Sequence, residues 1–170
     1  GDGKKEIISD VTGTWNNIRV FNSTGKLLWT VNFGPQPQLR RWPGLKQSDL
    51  RADTYMRGLA VASLNGGAQK GVVAATKDGI VTAFDMDGNR VWFQRLPDRP
   101  SSLCILNNSG DSLIAIGTES GLLIFLDATG RPIAEAQLNG AINTLLTVMT
   151  ESTTKLLAGT STGQLGVFGL

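Results

Sequence analysis

Apolar positions in this chain fall in short runs separated by turn residues, and several runs have no polar face. Val72-Val73-Ala74-Ala75 is apolar on both sides, Gly58–Leu64 alternates loosely, and Ile80–Phe84 and Arg90–Arg95 follow the turns Lys77-Asp78-Gly79 and Asp85-Met86-Asp87-Gly88. Runs this short, bounded by Gly, Asp and Asn, predict β-strands joined by tight turns, and no helical period of useful length competes. A one-sided antiparallel sheet alternates cleanly, so strands apolar on both faces need cover on both sides.

The same order of elements returns. Gly79, Gly121 and Gly163 lie 42 residues apart, each three residues after a threonine (Thr76, Thr118, Thr160), and Gly88 and Gly130 repeat the interval after Asp85 and Asp127. The reference unit 58–98 contains four strands. Unit 99–139 repeats them as 102–106, 112–117, 122–126 and 132–138, and 140–170 supplies three more. An earlier unit, 1–33, supplies strands at 6–11, 18–21 and 26–31. A shift of 63 residues carries its Asn22, Gly25 and Trp29 onto Asp85, Gly88 and Trp92, which leaves residues 34–57 as an insertion. A repeat of this length made of short strands signals a radial array, and four-stranded meanders stacked face to face form a β-propeller. The expectation is an all-β chain holding about 3.5 to 4 blades, an arc of a larger ring, since propellers typically close with 4–8. Closure of two arcs into one ring is the less favoured reading.

Composition narrows the chemistry. The 170 residues are 41% apolar and 18% charged with a net charge of +2, which fits a folded core and supplies no strong field for a polyanion. The absence of histidine removes the commonest general base and metal ligand. Cys104, the one cysteine, sits in an apolar run and reads as an inert core thiol. No apolar stretch is long enough to span a bilayer.

The segments Gly79–Trp92, Gly121–Arg131 and Val20–Trp29, with their Asp/Asn-x-x-Gly hairpins, resemble the quinoprotein-type (PQQ-like) propeller repeat. That resemblance implies the propeller fold and favours an extracellular or periplasmic setting. Its functions range over dehydrogenases, assembly scaffolds, sensors and adhesins, so it implies no single activity. Quinone-dependent dehydrogenases of this type hold their cofactor with calcium and acidic ligands, and no such cluster is visible here. Gly1–Ile8 also resembles the tail of an Asp-rich calcium loop of integrin-type propeller repeats.

Asp85, Asp87 and Asp127 invite a calcium reading, but nothing completes an oxygen shell around them. Asx-type capping of the turns is the stronger reading, with Asp85, Gly88, Asp127, Gly130 and Gly25 as structural turn residues. Trp29 and Trp92 share one fourth-strand position and read as packing against the neighbouring blade. A serine nucleophile without histidine would need a lysine, and the lysines sit in turns, at strand ends or in the insertion, so no catalytic residues are assigned. The insertion carries five basic and two acidic residues, two aromatics and three prolines. It lies on the face that also bears the turn between second and third strands, where the first unit has Trp15 in place of Asp78, Ser120 and Thr162. Trp15, Arg40, Arg41 and Trp42 have the composition of a recognition surface. The competing reading is that Trp42 and Leu45 plug apolar surface. The expected role is a non-catalytic protein-interaction, sensor or scaffold module without a cofactor, partnered by a protein or by further blades. The alternative is a piece of a quinone-dependent or carbohydrate-active enzyme whose site lies in other blades. Nucleic acid ranks third, because one loop with a net charge of +3 is a weak footprint.

Overall fold

The computed structural model describes residues 5–11, 17–32, 55–65, 69–107, 112–149 and 153–169. The chain divides into two compact units, Gly1–Met56 and Arg57–Leu170. Among the described residues all regular structure is β, in four antiparallel meander sheets.

In the first unit β1 (Ile7–Val11), β2 (Asn17–Phe21) and β3 (Leu27–Asn32) pair in chain order. The register sets Ile18 opposite Val31 and Val20 opposite Trp29. Ile18 and Val20 are fully buried, while β3 alternates between exposed and half-buried positions.

The second unit is built from three sheets. The first contains β4 (Met56–Leu64), β5 (Gln69–Thr76), β6 (Ile80–Asp85) and β7 (Arg90–Arg95). Next come β8 (Pro100–Asn107), β9 (Ser112–Thr118), β10 (Leu122–Leu126) and β11 (Pro132–Gln137). The third sheet holds β12 (Ile142–Met149), β13 (Thr154–Thr160) and β14 (Leu165–Gly169). Strand β4 starts at Met56, so the last two residues of the expected insertion are strand.

Burial explains the mixed hydrophobic pattern. Strands β5 and β6 are buried on both faces, Val73, Ala75, Val81 and Ala83 to one side and Val72, Ala74 and Phe84 to the other. Between the first and second sheets, Leu64, Val73, Val81 and Ala83 meet Ile114, Ile116, Ile124 and Leu126. Between the second and third, Leu106, Ala115, Leu123 and Phe125 meet Ile142, Leu156 and Ala158. Each fully buried Leu, Ile, Val or Phe contributes roughly 1.5–3 kcal/mol of transfer free energy. Outer strands are wetter: β11 is exposed at five of its six positions. The facing residues recur at the 42-residue interval, Leu64 with Leu106, Val73 with Ala115, Val81 with Leu123 and Ala83 with Phe125.

Trp92 stitches two sheets together. Its Nε1 donates to the Ala128 carbonyl at 2.9 Å, and its ring lies over Gly130. A Cβ on Gly130 would come within 2.6 Å of that ring, and the residue also has φ +82°. Glycine is therefore required here for two reasons, backbone conformation and space.

Candidate interaction face

The hairpins at one end of the sheets are closed by their own side chains. Asn22 Oδ1 accepts from the Thr24 and Lys26 amides and the Thr24 hydroxyl. Asp127 Oδ1 accepts the equivalent set from Thr129 and Arg131, and Asp85 Oδ1 accepts from the Asp87 and Asn89 amides. Gly25, Gly88 and Gly130 take φ of +80°, +85° and +82°. Slight burial acts to raise the Asp85 and Asp127 carboxyls, but these hydrogen bonds outweigh it and hold both below the usual carboxylate range. One oxygen of each aspartate, Oδ1, is thus engaged by the amides of its own turn. Among the described residues no three His, Cys, Asp or Glu side chains group to hold a metal ion.

The opposite end carries the connections into β8 and β12 together with the β5–β6, β9–β10 and β13–β14 turns. Within these turns Gly79, Gly121 and Gly163 amides donate to the Thr76, Thr118 and Thr160 carbonyls. The threonine hydroxyls close the same turns, Thr76 donating to the Ile80 carbonyl and Thr118 and Thr160 accepting from the Leu122 and Gln164 amides. That bond accounts for threonine three residues before each glycine.

Each incoming connection is latched to the adjacent turn. Asp98 accepts from the Ser120 amide at 2.8 Å, and the Thr162 hydroxyl donates to the Asn139 carbonyl at 2.6 Å. Partial burial pushes the Asp98 carboxyl up, but hydrogen bonds from Ser120, the Arg99 amide and Thr118 prevail and bring it down to about 2. Arg57 meets Glu119 of the β9–β10 turn at 3.5 Å. An exposed pair of this kind contributes ~0–1 kcal/mol.

The residues assigned to recognition, Trp15, Arg40, Arg41 and Trp42, all lie outside the described residues, as does Leu45. What the structure does place on that end is Lys77, Asp78, Asp98, Arg99, Glu119 and Arg57, a mixed-charge rim. One serine–lysine contact forms elsewhere: Lys70 Nζ donates to Ser63 Oγ at 2.6 Å, and the Ser63 amide donates to Ser112 Oγ across the first two sheets. The Lys70–Ser63 contact lies within the first sheet, and the bond from the buried Ser63 to Ser112 ties the first sheet to the second. Burial pushes the half-buried Cys104 thiol up, with hydrogen bonds involving Thr147 and the Ile105 backbone opposing it, so the thiolate is disfavoured. Among the described residues no helix is long and apolar enough to cross a membrane.

This architecture, antiparallel meanders of three and four strands with branched aliphatics between stacked faces, is that of a β-propeller. No family model matches the chain, and no curated protein matches it in sequence. Solved structures match its fold. Sqt1 of Saccharomyces cerevisiae is 15% identical with a TM-score of 0.67, over 91% of this chain and 39% of Sqt1. The computationally designed Ika4 protein is 15% identical with a TM-score of 0.64, over 99% of this chain and 94% of Ika4. BBS1N, crystallised in complex with ARL6DN, is 12% identical with a TM-score of 0.63, over 97% of this chain and 54% of BBS1N. The chain therefore spans well under two thirds of both Sqt1 and BBS1N.

Proposed function

We propose that this chain is a non-catalytic β-propeller module that binds a protein partner through the end bearing the 34–57 insertion, with Trp15, Arg40, Arg41 and Trp42 as contact residues. The observation that carries the reading is the position itself: the Ser120 amide and the Thr162 hydroxyl fasten their turns to the adjacent connection, and where these turns carry small polar side chains the equivalent sequence position in the first unit is Trp15. An aromatic at that position beside an Arg-Arg-Trp sequence has the residue types that dominate binding energy at protein interfaces. BBS1N, a protein of similar fold, was crystallised with a protein partner, which supports a protein as the ligand class. The test is cross-linking mass spectrometry of the protein in its native extract, wild type against Trp15→Ala/Arg40→Ala/Arg41→Ala/Trp42→Ala. Loss of the cross-linked partner in the variant is expected, and unchanged recovery defeats the assignment.

We read the repeat itself as quinoprotein-type, on the strength of the three Asx-capped hairpins with glycine at positive φ. That reading carries the alternative of a quinone-dependent enzyme completed by other blades. Pyrroloquinoline quinone with calcium would then raise the melting temperature, because selective binding to the native state stabilises it. An unchanged midpoint sets the alternative aside.

A further inference from the structure

The hairpin between β2 and β3 reads Asn22-Ser23-Thr24-Gly25, and its first three residues are an Asn-x-Thr triplet without proline. This is the acceptor motif for N-linked oligosaccharide. Such triplets arise often by chance, so the surroundings of Asn22 decide what this one can do. The hairpin Asp127-Ala-Thr-Gly130 makes the same turn, with the same three bonds to Oδ1 from the residue 127 plus two amide and hydroxyl and from the Arg131 amide. The cap therefore needs one side-chain oxygen and is indifferent to the second atom. In the first unit that second atom is the amide nitrogen.

Nothing in the fold uses it. All the hydrogen bonds of the Asn22 side chain run to Oδ1, and among the described residues Nδ2 makes none. Asp85 differs, since its Oδ2 accepts from Asn89 Nδ2 at 3.0 Å. Asn22 is half-buried at its base, and Ser23, Thr24, Gly25 and Lys26 are all exposed, so the triplet stands on open surface. The other triplet of this kind, Asn107-Asn108-Ser109, begins on the last residue of β8, which is paired with Ser112, and continues outside the described residues.

We propose that Asn22 is an acceptor for N-linked oligosaccharide in a compartment that supplies a lipid-linked donor. Nδ2 bonds to the anomeric carbon of a polyprenyl-diphosphate-linked oligosaccharide. The bond from that carbon to the diphosphate oxygen breaks, the lipid diphosphate leaves with the electron pair, and Nδ2 gives up one proton to water. The product is still an amide with its carbonyl oxygen in place. The bonds from the Thr24 and Lys26 amides to Oδ1 therefore survive, and the hairpin carries the glycan without refolding.

The test is expression of the full chain behind a cleavable signal peptide in cultured animal cells. Protein recovered from cells and medium alike is treated with peptide-N-glycosidase F in heavy-oxygen water, and its peptides are weighed. The enzyme converts a glycosylated asparagine to a labelled aspartate, which spontaneous deamidation before the treatment does not produce. Label at position 22 is expected in the wild type and in Thr24→Ser. Thr24→Ala keeps Asn22 and both amide bonds to its Oδ1 but lacks the hydroxyl of the motif, and is expected to carry no label. Unlabelled asparagine at position 22 of the wild type overturns the proposal, whether or not Asn107 is labelled. So does label at position 22 that persists in Thr24→Ala.

Discussion

The β8–β11 and β12–β14 sheets carry the same pattern at the same register, yet one is covered on both faces and the other on one. Leu123 is fully buried and Leu165, one interval later, is 64% exposed. Phe125 and Val167 differ in the same direction, at 6% and 56%. An apolar residue at a repeat position marks a face able to pack. Whether packing takes place depends on a neighbouring sheet, which the residue itself does not specify.

Substitution at matched positions tests that comparison most strongly. Leu123→Ala should cost about 3 kcal/mol, the ordinary cost of truncating a buried leucine and leaving a cavity. Leu165→Ala should cost less than ~0.5 kcal/mol in the dilute chain, as for an exposed site. Urea denaturation of both variants measures the gap. Equal losses would mean that the face of β12–β14 is already packed in the dilute chain.

The hairpin glycines sharpen the contrast between conformational and packing demands. Gly25 and Gly130 share a positive φ, but a Cβ on Gly25 meets nothing within 4 Å whereas one on Gly130 runs into Trp92. Gly25→Ala should cost ~1 kcal/mol, the left-handed backbone penalty alone. Gly130→Ala should cost ~2–3 kcal/mol, because the Trp92 ring must also shift and strain its bond to Ala128. Thermal melts of Gly130→Ala alone and combined with Trp92→Phe would separate the two contributions. A cost for Gly130→Ala no larger than for Gly25→Ala would remove Trp92 from the account.

The smallest effect concerns the latched end of the second unit. The Asp98 carboxyl is held at about 2 in the folded chain and returns to ~3.9 on unfolding. Its stabilisation is therefore fully present above pH ~4 and declines as pH falls toward 2, where the folded carboxylate is finally protonated. Solvent screening at this largely accessible site limits the contribution to ~1 kcal/mol. The stability of Asp98→Asn should vary less than wild type between pH 4 and pH 2. Superimposable profiles would show that the latch is not electrostatic.

Much of the architecture was legible before any coordinates, because turns are local. A glycine at positive φ is set by its own residue, and an Asx oxygen that accepts from amides two and four residues on, like a threonine hydroxyl that closes its own turn, finds its partners within four residues. Asn22 replaces aspartate without loss because a single oxygen, Oδ1, makes all three bonds there. The Trp92 position was readable as packing from its recurrence at Trp29, but its partner, the Ala128 carbonyl 36 residues onward, was not. The recognition residues Trp15, Arg40, Arg41 and Trp42 were singled out by departing from the repeat, and they fall outside the described residues. The Asp98 latch went unnoticed because Asp98 belongs to a connection with no repeating residue at its position: Gly140 lies one interval on.

What the sequence determined by itself is the local grammar: strand lengths, hairpin chemistry and a 42-residue register that puts aliphatic side chains on both faces of the inner strands. Tertiary structure alone decided which faces are filled, which hydroxyl or carboxylate fastens one element to another, and where an apolar row is left in water. The physical reason is range. Backbone conformation and side-chain capping act within a few residues, whereas burial is set by whatever sheet arrives from elsewhere in the chain or from another molecule.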